Sequence, residues 1–153
     1  VSLERLYYAG IGSRKTPKNI CTIMSSLAAK LSNSNYILRS GGAGGADTAF
    51  ENGSEDSIIY RPKDATGDSI KLASKFHPAW DMCNGYVRKL HGRNAQIILG
   101  DSLKDPAEFV ICWSANESAG GTSIGIKIAR AHDIPVYNLY KQSELDLIMD
   151  FVK

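Results

Sequence analysis

The residues best placed to do chemistry form one run, Ser40-Gly41-Gly42-Ala43-Gly44-Gly45-Ala46-Asp47, between an apolar stretch and a helical one. Glycines admit positive φ and let backbone N–H groups approach an anion with no Cβ in the way. A helix starting where the run ends adds the partial positive charge of its N-terminus, so phosphate is the natural guest. The run lacks the Gly-Lys-Ser/Thr ending of a P-loop and the spaced glycines of a dinucleotide fingerprint. A tight turn without a ligand is the plain alternative, and four glycines at one strand–helix junction argue against it. Asp47 either orients a ribose hydroxyl or caps its helix, and capping is the simpler reading.

Other segments offer related chemistry. Ser118-Ala119-Gly120-Gly121-Thr122 is a second glycine turn before a helix, whose N–H groups and Thr122 hydroxyl suit another phosphate or a ribose. Gly10-Ile11-Gly12-Ser13-Arg14 supplies a third loop, with Arg14 either forked onto a phosphate or left as a solvated surface charge. Arg93-Asn94 pairs a phosphate binder with a side chain able to read a base edge or ribose, and a helix-surface pair is the equal alternative. Trp80 and Trp113 are candidate stacking platforms, though buried tryptophan is commonly core. His77, His91 and His132 are widely spaced and give no metal-ligand pattern, so no metal is expected. Cys21, Cys83 and Cys112 form no Cys-x-x-Cys and read as buried, inert thiols of a reducing cytosol.

Positioning these loops requires a regular alternation of strands and helices. Leu6 to Gly12 reads as a buried strand entering a glycine turn, and Thr16-Pro17 opens a helix with Thr16 as N-cap. Ile20, Ile23, Met24, Leu27 and Leu31 recur at helical spacing, which turns one face inward. Tyr36–Arg39, Ser57–Tyr60, Glu108–Trp113 and Ile134–Asn138 read as four more strands. Short helices follow the glycine runs, and the segment from Asp68 to Leu90 is helical with a break near His77-Pro78. Arg93-Asn94 falls between that helix and the Ile97-Ile98-Leu99 run, and Ser143 caps a last helix that turns Leu145, Ile148 and Val152 inward. The alternation predicts one α/β Rossmann-like domain over residues 1–153, with a mostly parallel five-stranded sheet covered on both faces. Right-handed crossovers then gather the loops after strands one, two and four along one edge.

Composition bounds the rest. The 153 residues are 43% hydrophobic and 22% charged, as in an ordinary globular domain of one core. A net charge of +2 gives no argument for nucleic acid by itself. No apolar run is long enough to span a bilayer, and the first residues lack a signal-peptide pattern, so a cytoplasmic location without membrane contact is expected.

Gly12-Ser13-Arg14, Ser40 to Asp47, Gly92-Arg93-Asn94 and Gly120-Gly121-Thr122 occur in the order seen in the SLOG superfamily, which the chain resembles over nearly its whole length. That superfamily includes DprA recombination mediators, LOG phosphoribohydrolases and small stand-alone domains of the YspA/YpsA type, some of them phage-encoded. The Ser-Gly-Gly-Ala stretch looks most like the stand-alone and DprA branches. The resemblance implies a Rossmann-like fold that binds nucleotides, nucleotide sugars or, in the DprA branch, single-stranded DNA. Its implied ligand residues are Gly12, Ser13, Arg14, Ser40, Gly41, Gly42, Ala43, Gly44, Asp47, Arg93, Asn94, Ser118, Gly120, Gly121 and Thr122. LOG-type enzymes place a glutamate just after their threonine, whereas Thr122 precedes Ser123, Ile124 and Gly125. An oxocarbenium-like transition state needs a nearby negative charge. Asp47, Glu51 or Glu117 would have to substitute, so no catalytic residue is assigned and hydrolysis is not expected.

Three functions follow as expectations. The first is capture of a nucleotide-derived small molecule, ADP-ribose-like or a cyclic nucleotide, as a sensor or a signal-sequestering sponge in antiviral defence or counter-defence. The second is a nucleotide N-glycosidase. The third, less favoured, is a recombination accessory that binds single-stranded DNA through Arg14, Lys15, Lys18 and Arg39. No cofactor is implied, and homo-oligomerisation is left open.

Overall fold

A computed structural model describes residues 5–153. Five strands, β1 (Leu6–Gly10), β2 (Tyr36–Ser40), β3 (Ser57–Ile59), β4 (Val110–Cys112) and β5 (Val136–Asn138), form an all-parallel sheet in the order β3-β2-β1-β4-β5. The helices between and after them are α1 (Lys18–Asn33), α2 (Ala46–Gly53), α3 (Gly67–Ser74), α4 (Gly85–Leu99), α5 (Gly121–Ala131) and α6 (Gln142–Phe151). This is the α/β, Rossmann-like architecture that the sequence predicts. No helix among the described residues is long and apolar enough to cross a membrane.

Alternation along the strands builds two cores. In β1, Tyr8 faces one side and Ala9 the other; in β4, Ile111 opposes its neighbours Val110 and Cys112. One core joins Tyr8, Leu38 and Ile111 to Met24, Leu27 and Leu31 of α1, Phe50 of α2 and Ile148 of α6. The other joins Ala9, Val110 and Cys112 to Ala73 of α3, Ile97, Ile98 and Leu99 of α4 and Ile124 and Ile128 of α5. Each of the buried leucine, isoleucine, valine, methionine and phenylalanine side chains among them contributes about 1.5–3 kcal/mol of transfer free energy.

β1 sends its chain to α1 on one face, and β4 sends its chain to α5 on the other. The connections diverge between these paired strands, which opens a crevice at their carboxyl ends. A Cβ built at Gly12 would lie 2.6 Å from Ala46 Cβ and 3.3 Å from the Trp113 nitrogen, so the loops after β1, β2 and β4 meet there.

Local departures from the sequence reading have physical causes. Thr16 does not cap α1; Pro17 takes the N-cap position, and the Thr16 hydroxyl donates to the Ser13 carbonyl at 2.6 Å, which closes the β1–α1 loop instead. Arg93 and Asn94 lie inside α4 rather than between elements, because Gly92 lets the Ile70 side chain and Ser69 pack against an unbroken helix. Ser143 sits in the first turn of α6, with Lys141 at its N-cap. The expected break is present: α3 ends at Ser74, a short turn spans Trp80–Met82, and the Asn84 side chain caps α4 by accepting from the Val87 N–H at 2.9 Å.

Candidate functional site

The first glycine loop is held from below. Asp47 is buried, and one oxygen of its carboxylate accepts the Ala43 N–H at 3.2 Å. Burial raises its pKa to about 6, against the opposing pull of the Ala43 N–H, Arg93 and the Gly41 and Gly12 N–H groups. Asp47 therefore neither caps α2, whose N-cap is Gly45, nor reaches toward solvent. Ser40 is fully buried and donates to the Gly10 carbonyl at 2.6 Å, which ties β2 to β1 just below the loop.

Arg93 and Asn94 act together as a clasp. Arg93 Nη1 donates to the carbonyls of Gly41 (2.9 Å) and Tyr60 (3.0 Å), and its Nε donates to Asn94 Oδ1 (2.8 Å). Asn94 Nδ2 donates onward to the Gly121 carbonyl at 3.4 Å. One dipeptide on α4 thereby links the glycine loop after β2 to the one before α5. The sequence reading leaves these side chains as ligand contacts or a helix-surface pair; both are half-buried, and they hydrogen-bond the backbone of the loops.

The glycines divide by what surrounds them. A Cβ at Gly41 would collide with the Arg93 guanidinium, one at Gly42 with that of Arg61, and one at Gly45 with the Ser13 carbonyl. Gly42 and Gly45 also have positive φ, +70° and +74°. These three are required by packing. A Cβ at Gly44, Gly120 or Gly121 would enter open space, and all three residues are exposed. Packing requires no bare backbone at Gly44 and Gly121, the position where an approaching ligand would make use of it.

The remaining predicted residues line the same edge. Ser13 accepts the Lys15 N–H on its hydroxyl and the Ala46 N–H on its carbonyl, which sets the β1 loop against the start of α2. Arg14 and Lys15 are exposed beside it, Lys18 is exposed at the start of α1, and Arg61 is exposed next to Gly42. Ala43 is half-buried behind Gly44. In the other loop the Ser118 hydroxyl donates to Asn116 Oδ1 at 2.7 Å, and Thr122 is half-buried on the first turn of α5. Two concavities lie away from this edge, one along the outer face of α6 and one below β2 at the opposite edge.

Arg39 is a correction. It is buried, donates to the Asp105 carbonyl (2.7 Å), pairs with the Asp105 carboxylate (2.8 Å) and stacks on Tyr7. It points away from the loops and offers nothing to a DNA strand. The carboxylates considered for catalysis are also engaged or recessed. Glu117 accepts from Asn138 Nδ2 and pairs with Arg130 and Lys141. Partial burial works against its charge, but those three partners outweigh it and hold the carboxyl below the usual range. Glu51 lies one turn down α2 from the buried Asp47.

The tryptophans are not free platforms. Trp80 is covered by the Arg88 guanidinium, 5.3 Å from its ring, and Trp113 meets Tyr140 edge-on at 5.8 Å. Sequence spacing missed two groups. Asn138, fully buried at the end of β5, exchanges hydrogen bonds with both backbone groups of Ser114 and so fixes the start of the loop after β4. His77, Cys83 and His91 converge where the turn before α4 folds back on it, while His132 stands apart at the end of α5. Cys83 and Cys21 are half-buried; only Cys112 is fully buried, and burial pushes its thiol up.

No family model matches the chain, and no curated protein matches it in sequence. Among solved structures it is similar to DNA processing protein A from Helicobacter pylori, at 20% identity and a TM-score of 0.57, over 86% of this chain and 63% of that one. That protein is described as having a unique single-stranded DNA binding mode. At this identity the likeness is one of fold, and this chain spans less than two thirds of the other's length.

Proposed function

We propose that the carboxyl edge of the sheet binds the phosphate backbone of single-stranded DNA. The observation that carries this reading is exposed glycine backbone beside exposed cations on one edge. Two glycine loops, clasped together by Arg93 and Asn94, present exposed backbone at Gly44, Gly120 and Gly121, where a Cβ would meet nothing. Exposed Arg14, Lys15, Lys18 and Arg61 flank it. An open, basic edge suits a polymer backbone that continues past the site, whereas small ligands are mostly enclosed. The fold shared with DNA processing protein A is consistent with this use.

The test is fluorescence anisotropy with a labelled single-stranded oligonucleotide across a salt series. For a site touching Z phosphates, log K falls against log salt with a slope of about −0.7Z. Arg14→Ala, Lys15→Ala and Lys18→Ala should each weaken binding and flatten that slope, while Arg39→Lys leaves the slope unchanged.

A second reading keeps the same phosphate contacts but takes a nucleotide-derived small molecule, held as a sensor or sponge. The exposed, unobstructed start of α5 at Gly120-Gly121 favours it, because a helix N-terminus holds a single terminal phosphate well. A nucleotide recovered intact from the purified, denatured protein, together with failure to bind the oligonucleotide, would replace the DNA reading with this one. Base release is not part of either reading, since Asp47 is buried beneath the loop and Glu117 is held by two cations.

A further inference from the structure

We propose that His77, Cys83 and His91 form a binding site for a zinc-class divalent metal ion, with a fourth position left to water or an incoming ligand. One ligand atom from each lies within 4.8 Å of the others. Cys83 Sγ is 3.6 Å from His77 Nε2 and 4.0 Å from its Nδ1, and the two imidazole rings are 4.9 Å apart, centre to centre. Zinc bonds of about 2.3 Å to sulfur and 2.0–2.1 Å to nitrogen put neighbouring tetrahedral ligands roughly 3.5 Å apart. Movements of about 1 Å in side chains of an exposed turn close that difference.

His91 supplies an independent reason. It is 7% exposed, and its Nδ1 is buried without a hydrogen-bond partner. A buried polar atom in that state calls for a missing ion or water, and an ion held by this imidazole accounts for it. The donor set is two imidazoles and a thiol with no carboxylate, which selects zinc, copper or cobalt over magnesium or calcium. Trp80 walls the cluster on one side, its ring 6.0 Å from that of His77 and 6.1 Å from that of His91.

The turn closes on itself. The Ala79 N–H donates to His77 Nδ1 at 2.9 Å, and the Cys83 thiol donates to the Ala79 carbonyl at 3.7 Å. Coordination by either ring nitrogen of His77 displaces the Ala79 contact, which is exposed and readily taken over by water. The thiol binds as thiolate, so each ion taken up releases one proton from Cys83 to solvent. Because His91 lies on α4, two residues before the Arg93–Asn94 clasp, the ion would pin the helix that joins the glycine loops.

The experiment uses the whole chain, stripped with a chelator and titrated with cobalt(II), then zinc(II). The expected result is one equivalent of cobalt giving the visible bands of a tetrahedral centre and near-ultraviolet thiolate-to-cobalt absorption, both erased by equimolar zinc. Cys83→Ser should lose the thiolate band and at least tenfold in zinc affinity; His91→Asn should lose a similar factor; Cys21→Ser should change neither. Cys83 sits in a surface turn, so its variant keeps the folded circular dichroism spectrum and decides the matter if His91→Asn does not fold. Absence of a tetrahedral cobalt spectrum in the parent chain, or its persistence unchanged in Cys83→Ser, overturns the proposal.

Discussion

At the scale of single residues, the glycines separate structural from functional demand. Gly42→Val should markedly destabilise the chain, because its positive φ strains a β-branched residue and a Cβ there presses on the Ile59 side chain. Gly44→Val should leave thermal stability within about 0.5–1 kcal/mol of the parent, as a surface change in open space does, while reducing oligonucleotide binding. Equal losses of stability and binding in Gly44→Val would return that loop to a plain turn. Asp47 gives a second residue-scale prediction. Its carboxyl is raised from 3.8 to about 6 by burial, so the folded state holds a proton that the unfolded chain releases. With the unfolded pKa the lower of the two, this group's contribution is greatest below pH 4 and is lost as pH rises through 6. The swing is on the order of 3 kcal/mol. Urea denaturation between pH 4 and 7 should show this fall in the parent, and Asp47→Asn should remove it whatever its absolute stability.

At the scale of elements, the Arg93–Asn94 clasp makes α4 part of the site by holding the two glycine loops together. Arg93→Ala removes two bonds to backbone carbonyls and the cation nearest a buried carboxylate, so a loss of about 2–3 kcal/mol is expected. Binding should weaken through disorder of the Gly41–Gly44 segment, visible as faster amide exchange there; unchanged exchange with weakened binding would instead make Arg93 a direct contact. This marks where the sequence was readable. Glycines between a strand and a helix, and apolar residues at spacings of two or of three to four, announce β1, β2, α1 and the shared edge from local pattern alone. Arg93 reaches the Gly41 carbonyl across 52 residues, Arg39 reaches Asp105 across 66, and Asn138 reaches Glu117 across 21. Such charges look alike in a sequence, and only the sheet order decides that Arg39 turns onto Asp105 while Arg14 stays free at the edge. The His77–Cys83–His91 group was hidden for a related reason: histidine spacing alone omitted the cysteine, and the turn that unites them follows from α3 packing on α4.

At the scale of the whole molecule, the exposed cations Arg14, Lys15, Lys18 and Arg61 lie along one side of a chain whose net charge is only +2, so the basic edge is a local field rather than a global one. Its reach is then about a Debye length, near 8–10 Å at ordinary salt. Association with an oligonucleotide should therefore slow several-fold between 50 and 200 mM salt, measured by stopped-flow, and a salt-independent rate would remove the edge as the entry surface. The order of the sheet has a further consequence, in time rather than in space. β1 lies at the centre, yet its partner β4 follows about a hundred residues later, with Ala9 paired to Val110. A nascent chain that has made only β1 to β3 can bury Tyr8 and Leu38 under α1 and α2, but it carries an open β1 edge and a bare opposite face. Long-range parallel pairing closes slowly, and unpaired edges invite aggregation meanwhile. The crevice between β1 and β4 thus exists only once the fourth of five strands has docked: the candidate site forms late in folding, and no early intermediate can bind through it.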